Sequence, residues 1–381
     1  MNRSLKLKRT RSLFLLSTLS ALFLAAPNVF AQDSLATQTA AAGEHLQIAI
    51  QADEEKRPRY TFDGARPKES WAFATDNDVL APGKRDRDYT YGVNWAYSGD
   101  SARDAAISLQ QPLASLNSLV DMLPEASATQ DQFSHEFGFF GFTPDGLKFN
   151  ADDRPYASLI YFSSSREQLD QANNIAWKSS LTLGVLGLDL VGNVQNQIHA
   201  GLGSNKAEDW NTQISDGGEL TGRYTIARQQ YLEGWSDSFE VKSTVQASVG
   251  YLTETSWSLS IREGNVNSPW ASFNPELISY GEKSTYTSNA EATNENYFWA
   301  GVTVKARLYN VFLQGQFRDS TQTYSANELR PLIAEAWAGY TFAFKSGHRI
   351  SYVLRGQTSE IKAGDGDRHL LWGGLIISKS I

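Results

Sequence analysis

From Trp71 to the end of the chain, short segments recur in which apolar and polar residues alternate. Residues 89–97 place large apolar side chains at the odd positions and small or polar ones at the even positions. Residues 297–309 repeat the pattern. One face contains the polar residues Thr303, Lys305 and Arg307, and the other contains the apolar residues Val302, Val304 and Leu308. A period of two is typical of β-strands whose two faces meet different surroundings.

The alternation predicts twelve strands, at 71–79, 88–98, 133–143, 156–166, 178–188, 219–231, 239–252, 255–263, 297–313, 332–344, 348–360 and 369–380. Most are as long as the roughly 9–11 residues that a tilted strand needs to cross a membrane. Strands of a soluble β-sandwich, the alternative fold, are usually about 5–6 residues long. Aromatic residues also gather at several segment ends, as interfacial girdles require. We therefore predict an all-β fold, a transmembrane antiparallel β-barrel of the outer-membrane type.

One stretch departs from this pattern. Leucine, isoleucine and valine recur with nearly helical spacing between Arg103 and Leu123. The spacing predicts a packing helix within the connection between strands two and three.

The first 31 residues have the order of a secretory signal peptide. Residues 1–11 carry five basic side chains and no acidic one, an apolar run follows, and small residues precede a possible cleavage site at Gln32. The alternative, a membrane anchor, is disfavoured because the run is shorter than the ~20 residues that a spanning helix needs. Residues 32–66 lack a sustained period and are interpreted as an N-terminal extension, partly disordered. This leaves 67–381 for the barrel.

Composition narrows the function classes. The chain has no cysteine, so it has no disulfide framework, and its net charge is −8. After the signal peptide nothing is basic enough to indicate nucleic-acid binding. A polar exported chain is compatible with a soluble periplasmic protein, and equally with a barrel whose lumen is polar.

The densest polar clusters fall at one end of the predicted barrel. Bacterial barrels start in the periplasm and carry their longer loops outside, so connections 1–2, 3–4 and 5–6 are expected at the cell surface. The clusters in or beside them are residues 76–78, 86–90, 152–154 and 195–199. The connection between strands eight and nine, residues 263–296, is expected on the periplasmic side.

Their residue types suggest chemistry. Closely placed carboxylate and amide oxygens suit a hard cation such as calcium. A histidine beside such an ion can act as general base on water, and nearby amide or cationic groups can stabilise an oxyanion. The alternative is that these Asx-rich loops only complete their own turns.

Two of the five histidines, His199 and His369, are expected near this rim. His199 lies in a possible short helix, where Gln195 would share its face. The full set is His45, His135, His199, His348 and His369.

Four short motifs occur in order over residues 70–381. They are ND at 77–78 with DRDYTYG at 86–92, FTPD at 142–145, DRPYA at 153–157, and QNQIH at 195–199 with WNTQ at 210–213. In order and spacing they resemble the signature of the lipid A 3′-O-deacylase family.

The resemblance implies a twelve-stranded outer-membrane barrel that removes the 3′-linked acyloxyacyl group of lipid A with calcium as cofactor. By position, His199 would be the general base, with Asn77 and Thr90 as essential site residues. Asp78 would serve the calcium site, and Arg154 would line the site and meet lipid A phosphate or sugar, since an arginine fork suits phosphate.

Two other functions remain open at this stage. One is a porin-like or structural barrel whose rim motifs only order loops. The other is an outer-membrane phospholipase with a Ser-His-Asn triad, which is disfavoured because no serine pairs convincingly with His199. Convergence of the rim residues in one pocket would favour the deacylase.

Overall fold

The computed structural model describes residues 69–83, 88–120, 123, 130–202, 206–236, 238–280 and 293–381. The predicted signal peptide and extension lie outside these residues. All twelve strands and every site residue discussed below belong to one compact unit, Gly64–Ala114 and Glu125–Ile381.

The strands form a closed antiparallel barrel in which each strand pairs with its neighbours in sequence and β1 also pairs with β12. They are β1 (Ser70–Asn77), β2 (Asp88–Ser98), β3 (Gln130–Thr143), β4 (Ala157–Asp170), β5 (Ile175–Leu186), β6 (Glu219–Ser236), β7 (Phe239–Gly250), β8 (Leu252–Asn265), β9 (Glu295–Asn310), β10 (Leu332–Ala343), β11 (His348–Gln357) and β12 (Leu370–Ser380). The described residues also contain three α-helices: α1 (Gln110–Val120), α2 (Asp189–Leu202) and α3 (Val311–Gln314). The prediction of twelve antiparallel strands is confirmed.

The wall is polar inside and apolar outside. In β9 the side chains of Thr303, Lys305 and Arg307 are buried, whereas Val302 and Leu308 are exposed. This inverts the arrangement of a soluble protein and matches a barrel whose outer surface meets lipid. Among the described residues, no helix has both the length and the apolar character needed to cross a bilayer.

Some predicted limits were wrong. The ninth strand ends at Asn310 rather than at residue 313, because the Asn310 side chain accepts a hydrogen bond from Phe312 N and caps α3. The eleventh strand ends at Gln357 rather than at residue 360. The helix predicted from Arg103 begins only at Gln110, because Ser108 Oγ accepts the Gln110 N–H and starts the helix there.

Connections alternate between the two ends of the barrel. Those that follow odd-numbered strands lie at the end where α2 lies, which we call the α2 end. The connections after even-numbered strands lie at the opposite end.

Residues 266–280, after β8, form what we call the lumenal segment. It starts at the opposite end, where Arg262 donates to Ser268 Oγ and O. Farther along, Glu276 accepts from Lys242, Gln229 and Thr244 of the wall. Its last residue, Tyr280, lies against Phe142 with ring centroids 4.9 Å apart. This connection was expected on the periplasmic side, and the topology does put it at the end opposite α2, but buried ion pairs and aromatic contacts hold residues 266–280 inside the barrel.

Lumenal charges are paired. Arg355 and Lys305 both contact Glu335, and Arg307 contacts Glu254. Removing one partner of such a pair leaves a buried unpaired charge and costs about 3–5 kcal/mol. With the lumenal segment in place, a cavity of about 50 Å³ remains beside Leu277, space for a few water molecules.

Candidate active site

His199 lies on the buried face of helix α2. Val191, Gln195 and His199 are spaced by four residues, which places them one above the other on a helix. Their exposed fractions are 0%, 1% and 8%, whereas Ile198 on the other face is 46% exposed. The prediction of a helix in which Gln195 shares the face of His199 is confirmed.

Helix α2 packs against the outer surface of the barrel wall. The Tyr91 hydroxyl donates to Val191 O, and Val191 and Val194 join an apolar cluster with Phe139 and Ile160. In β2, Tyr91 shares its face with Trp95, which is exposed, while Asn94 of the opposite face is buried. The His199 face of the helix is thus directed at the membrane-facing side of the wall, and not at the lumen.

Trp210 fixes the position of α2. Its ring packs on Gly192 and on Tyr156, with 5.0 Å between the centroids of the two aromatic rings. Its Nε1 donates to Gln195 Oε1 at 2.9 Å. Helix position therefore depends on the loop residues after it as well as on the wall.

Replacing Gly192 tests this packing. The new Cβ of Gly192→Ala would lie 2.5 Å from Trp210 Cγ, so we expect overpacking to lower the free energy of local opening of α2 by about 1–3 kcal/mol. Hydrogen exchange of the α2 amides measures this.

Gly201→Ala is the matched control, because a Cβ there has no neighbour within 4 Å. It should leave local stability unchanged or raise it by up to ~1 kcal/mol, since alanine is the better helix former. Equal exchange in both variants would show that the contact with Trp210 does not fix α2.

Asn77 and Asp78 lie where β1 ends. Asn77 pairs in register with Tyr91 and shares the outward face of β1 with Thr75. Asn77 Oδ1 accepts the Val79 N–H at 2.7 Å, which starts the turn Asp78–Leu80. The Asp78 side chain is buried.

Thr90 lies at a bulge in β2. The register with β3 shifts between Tyr89 and Tyr91, so Tyr89 contacts Asp76 and Tyr280 inside the barrel while Tyr91 points outward to α2. The Thr90 hydroxyl lies 2.5 Å from the hydroxyl of Thr143. Asn77, Thr90 and the His199 face of α2 are therefore all at the α2 end, on the outer side of the wall.

Arg154 lies elsewhere. Its guanidinium donates to Glu360 at 3.1 Å, lies 4.0 Å from Asp88 and covers the ring of Phe142, which faces the lumen. Burial lowers the pKa of Arg154 below its usual value, although Tyr280 and Asp88 oppose this. The structure thus places Arg154 in the lumenal mouth of the α2 end and not beside α2, which differs from its predicted position lining the site.

A second arginine supports the same loop. Arg368 Nη2 contacts Asp88 at 2.8 Å and Nη1 contacts Asp153 at 2.7 Å. Burial alone would lower the pKa of Arg368, but these two carboxylates raise it.

The described residues do not supply a complete set of ligands for a metal cation. Within them, no group of three or more His, Asp or Glu side chains could hold a metal ion. Asp78 supplies one buried carboxylate, and residues 84–87 and 203–205, which flank this region in sequence, lie outside the described part of the chain. Calcium also accepts backbone carbonyl, amide and water oxygens, so Asp78 fits as one ligand of such a site.

Sequence reasoning did not assign Trp210 or Glu360. Trp210 occurs in a recognised motif, so it could have been chosen. Glu360 contacts its partners only through the closed barrel, and its sequence neighbourhood gives no signal of this.

The fold and this site define an outer-membrane β-barrel with polar groups gathered on the membrane-facing side of one rim. The family model described as outer membrane protein LpxR matches residues 18–380. The chain belongs to this family, and the resemblance found in the four motifs is confirmed.

One solved structure supports the fold. LpxR from Salmonella typhimurium is similar with a TM-score of 0.62 and 19% sequence identity, over 82% of this chain and 100% of that chain. The β-domain of the Bordetella autotransporter BrkA reaches a TM-score of only 0.38, with 9% identity over 84% of this chain and 99% of that chain. Among curated proteins, no sequence matches the chain.

Proposed function

We propose that this protein hydrolyses the 3′-linked acyl ester of lipid A in the outer leaflet, with His199 as general base and calcium as cofactor. One observation carries the proposal: His199 is held between a helix and the membrane-facing wall of the barrel. Family membership supports it.

The surroundings of the site suit a lipid substrate. Val79 beside Asp78 is 65% exposed, and Leu190 and Ile198 on α2 are also exposed. These apolar side chains lie at the same end of the barrel as Asn77 and Thr90, where acyl chains of the outer leaflet would meet the wall if the α2 end faces the cell surface. A lipid can then reach His199 from the side without entering the lumen.

The chemistry follows from the residues present. His199 takes a proton from water as the water oxygen bonds to the ester carbonyl carbon, and the carbonyl oxygen becomes an oxyanion. The bond to the sugar oxygen then breaks, and His199 returns the proton to that oxygen, which leaves a free fatty acid and a hydroxyl.

Side-chain amides can stabilise the oxyanion. Gln195 lies one turn before His199, and its Nε2 is buried without a hydrogen-bond partner in the described residues. An unsatisfied donor aimed at a developing negative charge commonly accounts for about 10²–10³ in rate. The Nδ2 group of Asn77 is proposed to donate to the oxyanion as well, since its Oδ1 accepts the Val79 N–H.

Bound calcium would add positive charge near the oxyanion and the lipid A phosphates. Asp78 would hold it, together with backbone, water and substrate oxygens. Because the phosphates of lipid A are anionic, such a cation would also favour substrate binding.

A pore function is disfavoured by the lumen. The lumenal segment is fixed by Arg262, Lys242 and Arg307, which belong to different strands. These contacts hold the segment inside the lumen, which an open pore would have to keep clear.

Mass spectrometry of lipid A tests the proposal. Cells that produce the protein should contain lipid A lighter by the 3′-linked acyloxyacyl group, and cells with the empty vector should not. Purified protein mixed with lipid A micelles should release the same fatty acids. Unchanged lipid A in both assays, with folded barrel present, would refute the proposed activity.

A further inference from the structure

The Glu360 carboxylate joins several parts of the barrel at the α2 end. It is 2% exposed and follows β11 in sequence. Its donors come from a loop, the lumenal segment and two strands, and they are Arg154 Nη2, Tyr280 OH, Arg307 Nη1, Asn310 Nδ2 and Gln357 Nε2. We call these residues with Glu360 the Glu360 cluster.

Tyr280 brings the lumenal segment into this cluster. Its hydroxyl donates to Glu360 at 2.6 Å, and Arg307 Nη1 donates to that hydroxyl at 2.7 Å. Its ring packs against Phe142 and Phe312. The segment that begins at the opposite end therefore contacts the rim through a side chain that is both hydrogen-bonded and packed against aromatic rings.

From the cluster, contacts lead outward to α2. Arg154 is followed by Pro155 and Tyr156, and Tyr156 O accepts from Ile214 N at 2.8 Å. The ring of Tyr156 packs on Trp210, which donates to Gln195 on the His199 face of α2.

The contacts between the Glu360 cluster and α2 include hydrogen bonds as well as apolar packing. Proline fixes the backbone φ angle between Arg154 and Tyr156, so a shift of the arginine is transmitted to the tyrosine. A displacement of about 1 Å at a reacting group commonly costs about 10²-fold in rate, so small shifts matter.

We propose that Glu360 and Tyr280 are positioning residues, which hold the 153–156 loop in place and through Tyr156 and Trp210 set the position of α2. The effect on turnover rests on the proposed function, whereas the effect on the position of α2 does not. The lumenal segment thereby contributes to the site on the outside of the wall without touching substrate.

Glu360→Gln tests the proposal in the full-length protein. The amide keeps the shape but removes the charge that Arg154 and Arg307 share, so hydrogen exchange at 144–156 and 189–202 should quicken by roughly 10- to 100-fold. The kcat for lipid A micelles should fall by about 10–100-fold with KM within about twofold. Tyr280→Phe, which loses one hydroxyl, should also quicken hydrogen exchange and lower kcat, each by a smaller factor.

Glu240→Gln is the matched control. Glu240 is also a buried acid that pairs with an arginine holding the lumenal segment, since Arg262 contacts both Glu240 and Ser268. That pair lies at the opposite end, so this variant should keep the wild-type exchange at 189–202 and the wild-type kcat.

The outcomes separate the two proposals. Quicker exchange at 189–202 in Glu360→Gln and not in Glu240→Gln supports the positioning role even if the wild type does not cleave lipid A. Wild-type exchange in Glu360→Gln, or equal quickening in both variants, overturns it. If Glu360→Gln does not assemble, as heat-modifiable mobility would show, Tyr280→Phe decides by the same comparison.

Discussion

His199→Ala is expected to leave lipid A fully acylated while the barrel assembles normally. The imidazole is held on the face of α2 that packs on the wall, and in the proposed mechanism it is the group that accepts the proton from water. Loss of a general base commonly lowers the rate by about 10²–10⁴-fold. The measurement is the mass spectrum of lipid A from cells with equal amounts of barrel, checked by heat-modifiable mobility.

His348→Ala provides the control. His348 is exposed, starts β11 at the end opposite α2, and its ring contacts the hydroxyl of the nearby Ser346. This variant should deacylate as the wild type does. Unimpaired deacylation by His199→Ala would show that the proposed mechanism is wrong even though the family assignment stands.

Strand pattern was predictable because a membrane wall has two environments. In β10, every second residue is buried and the others, including Tyr340 and Phe342, face outward. Lipid on one side and a polar lumen on the other enforce this period of two. Strand number and order therefore followed from the sequence.

The position of residues 266–280 was not predictable from the same pattern. Glu276 accepts hydrogen bonds from Gln229 of β6 and Thr244 of β7, 47 and 32 residues earlier in the chain, and Tyr280 contacts Glu360 from beyond β11. Such contacts exist only once the barrel has closed. A sequence without structural information shows a long connection, and the alternation of connections between the two ends of the barrel assigns it to the periplasm.

The site residues also differ in how far the sequence alone could predict their positions. Asn77, Thr90 and His199 were identified from the resemblance of short sequence motifs, and the structure places them at one end on the outer side of the wall, at a strand end, a bulge and a helical face. Their chemical roles remain predictions. Arg154 is close to them in motif order, but its direction is set by Glu360, which is 206 residues away in sequence. Only the closed barrel reveals that it faces the lumen.

Removal of calcium is expected to abolish deacylation by the purified protein. In the transition state of the proposed reaction, negative charge grows on the carbonyl oxygen of a substrate that already carries phosphates, so a hard cation held at the rim would stabilise that charge. An excess of chelator should therefore stop fatty acid release from lipid A micelles, and added calcium should restore it. The barrel itself should keep its heat-modifiable mobility, because its lumenal charges are paired with one another.

Asp78→Asn tests whether Asp78 is a ligand of the proposed calcium ion. Asp78 is a buried carboxylate beside Asn77, and affinity for calcium depends strongly on the number of charged ligands. The calcium concentration for half-maximal activity should rise by at least about tenfold, with activity recovered in part at high calcium. Asp100→Asn, which changes an exposed acid in a turn at the opposite end, should leave the calcium response unchanged. Full activity in excess chelator would rule out a calcium mechanism, and an unaltered calcium response in Asp78→Asn would place the cation on other oxygens.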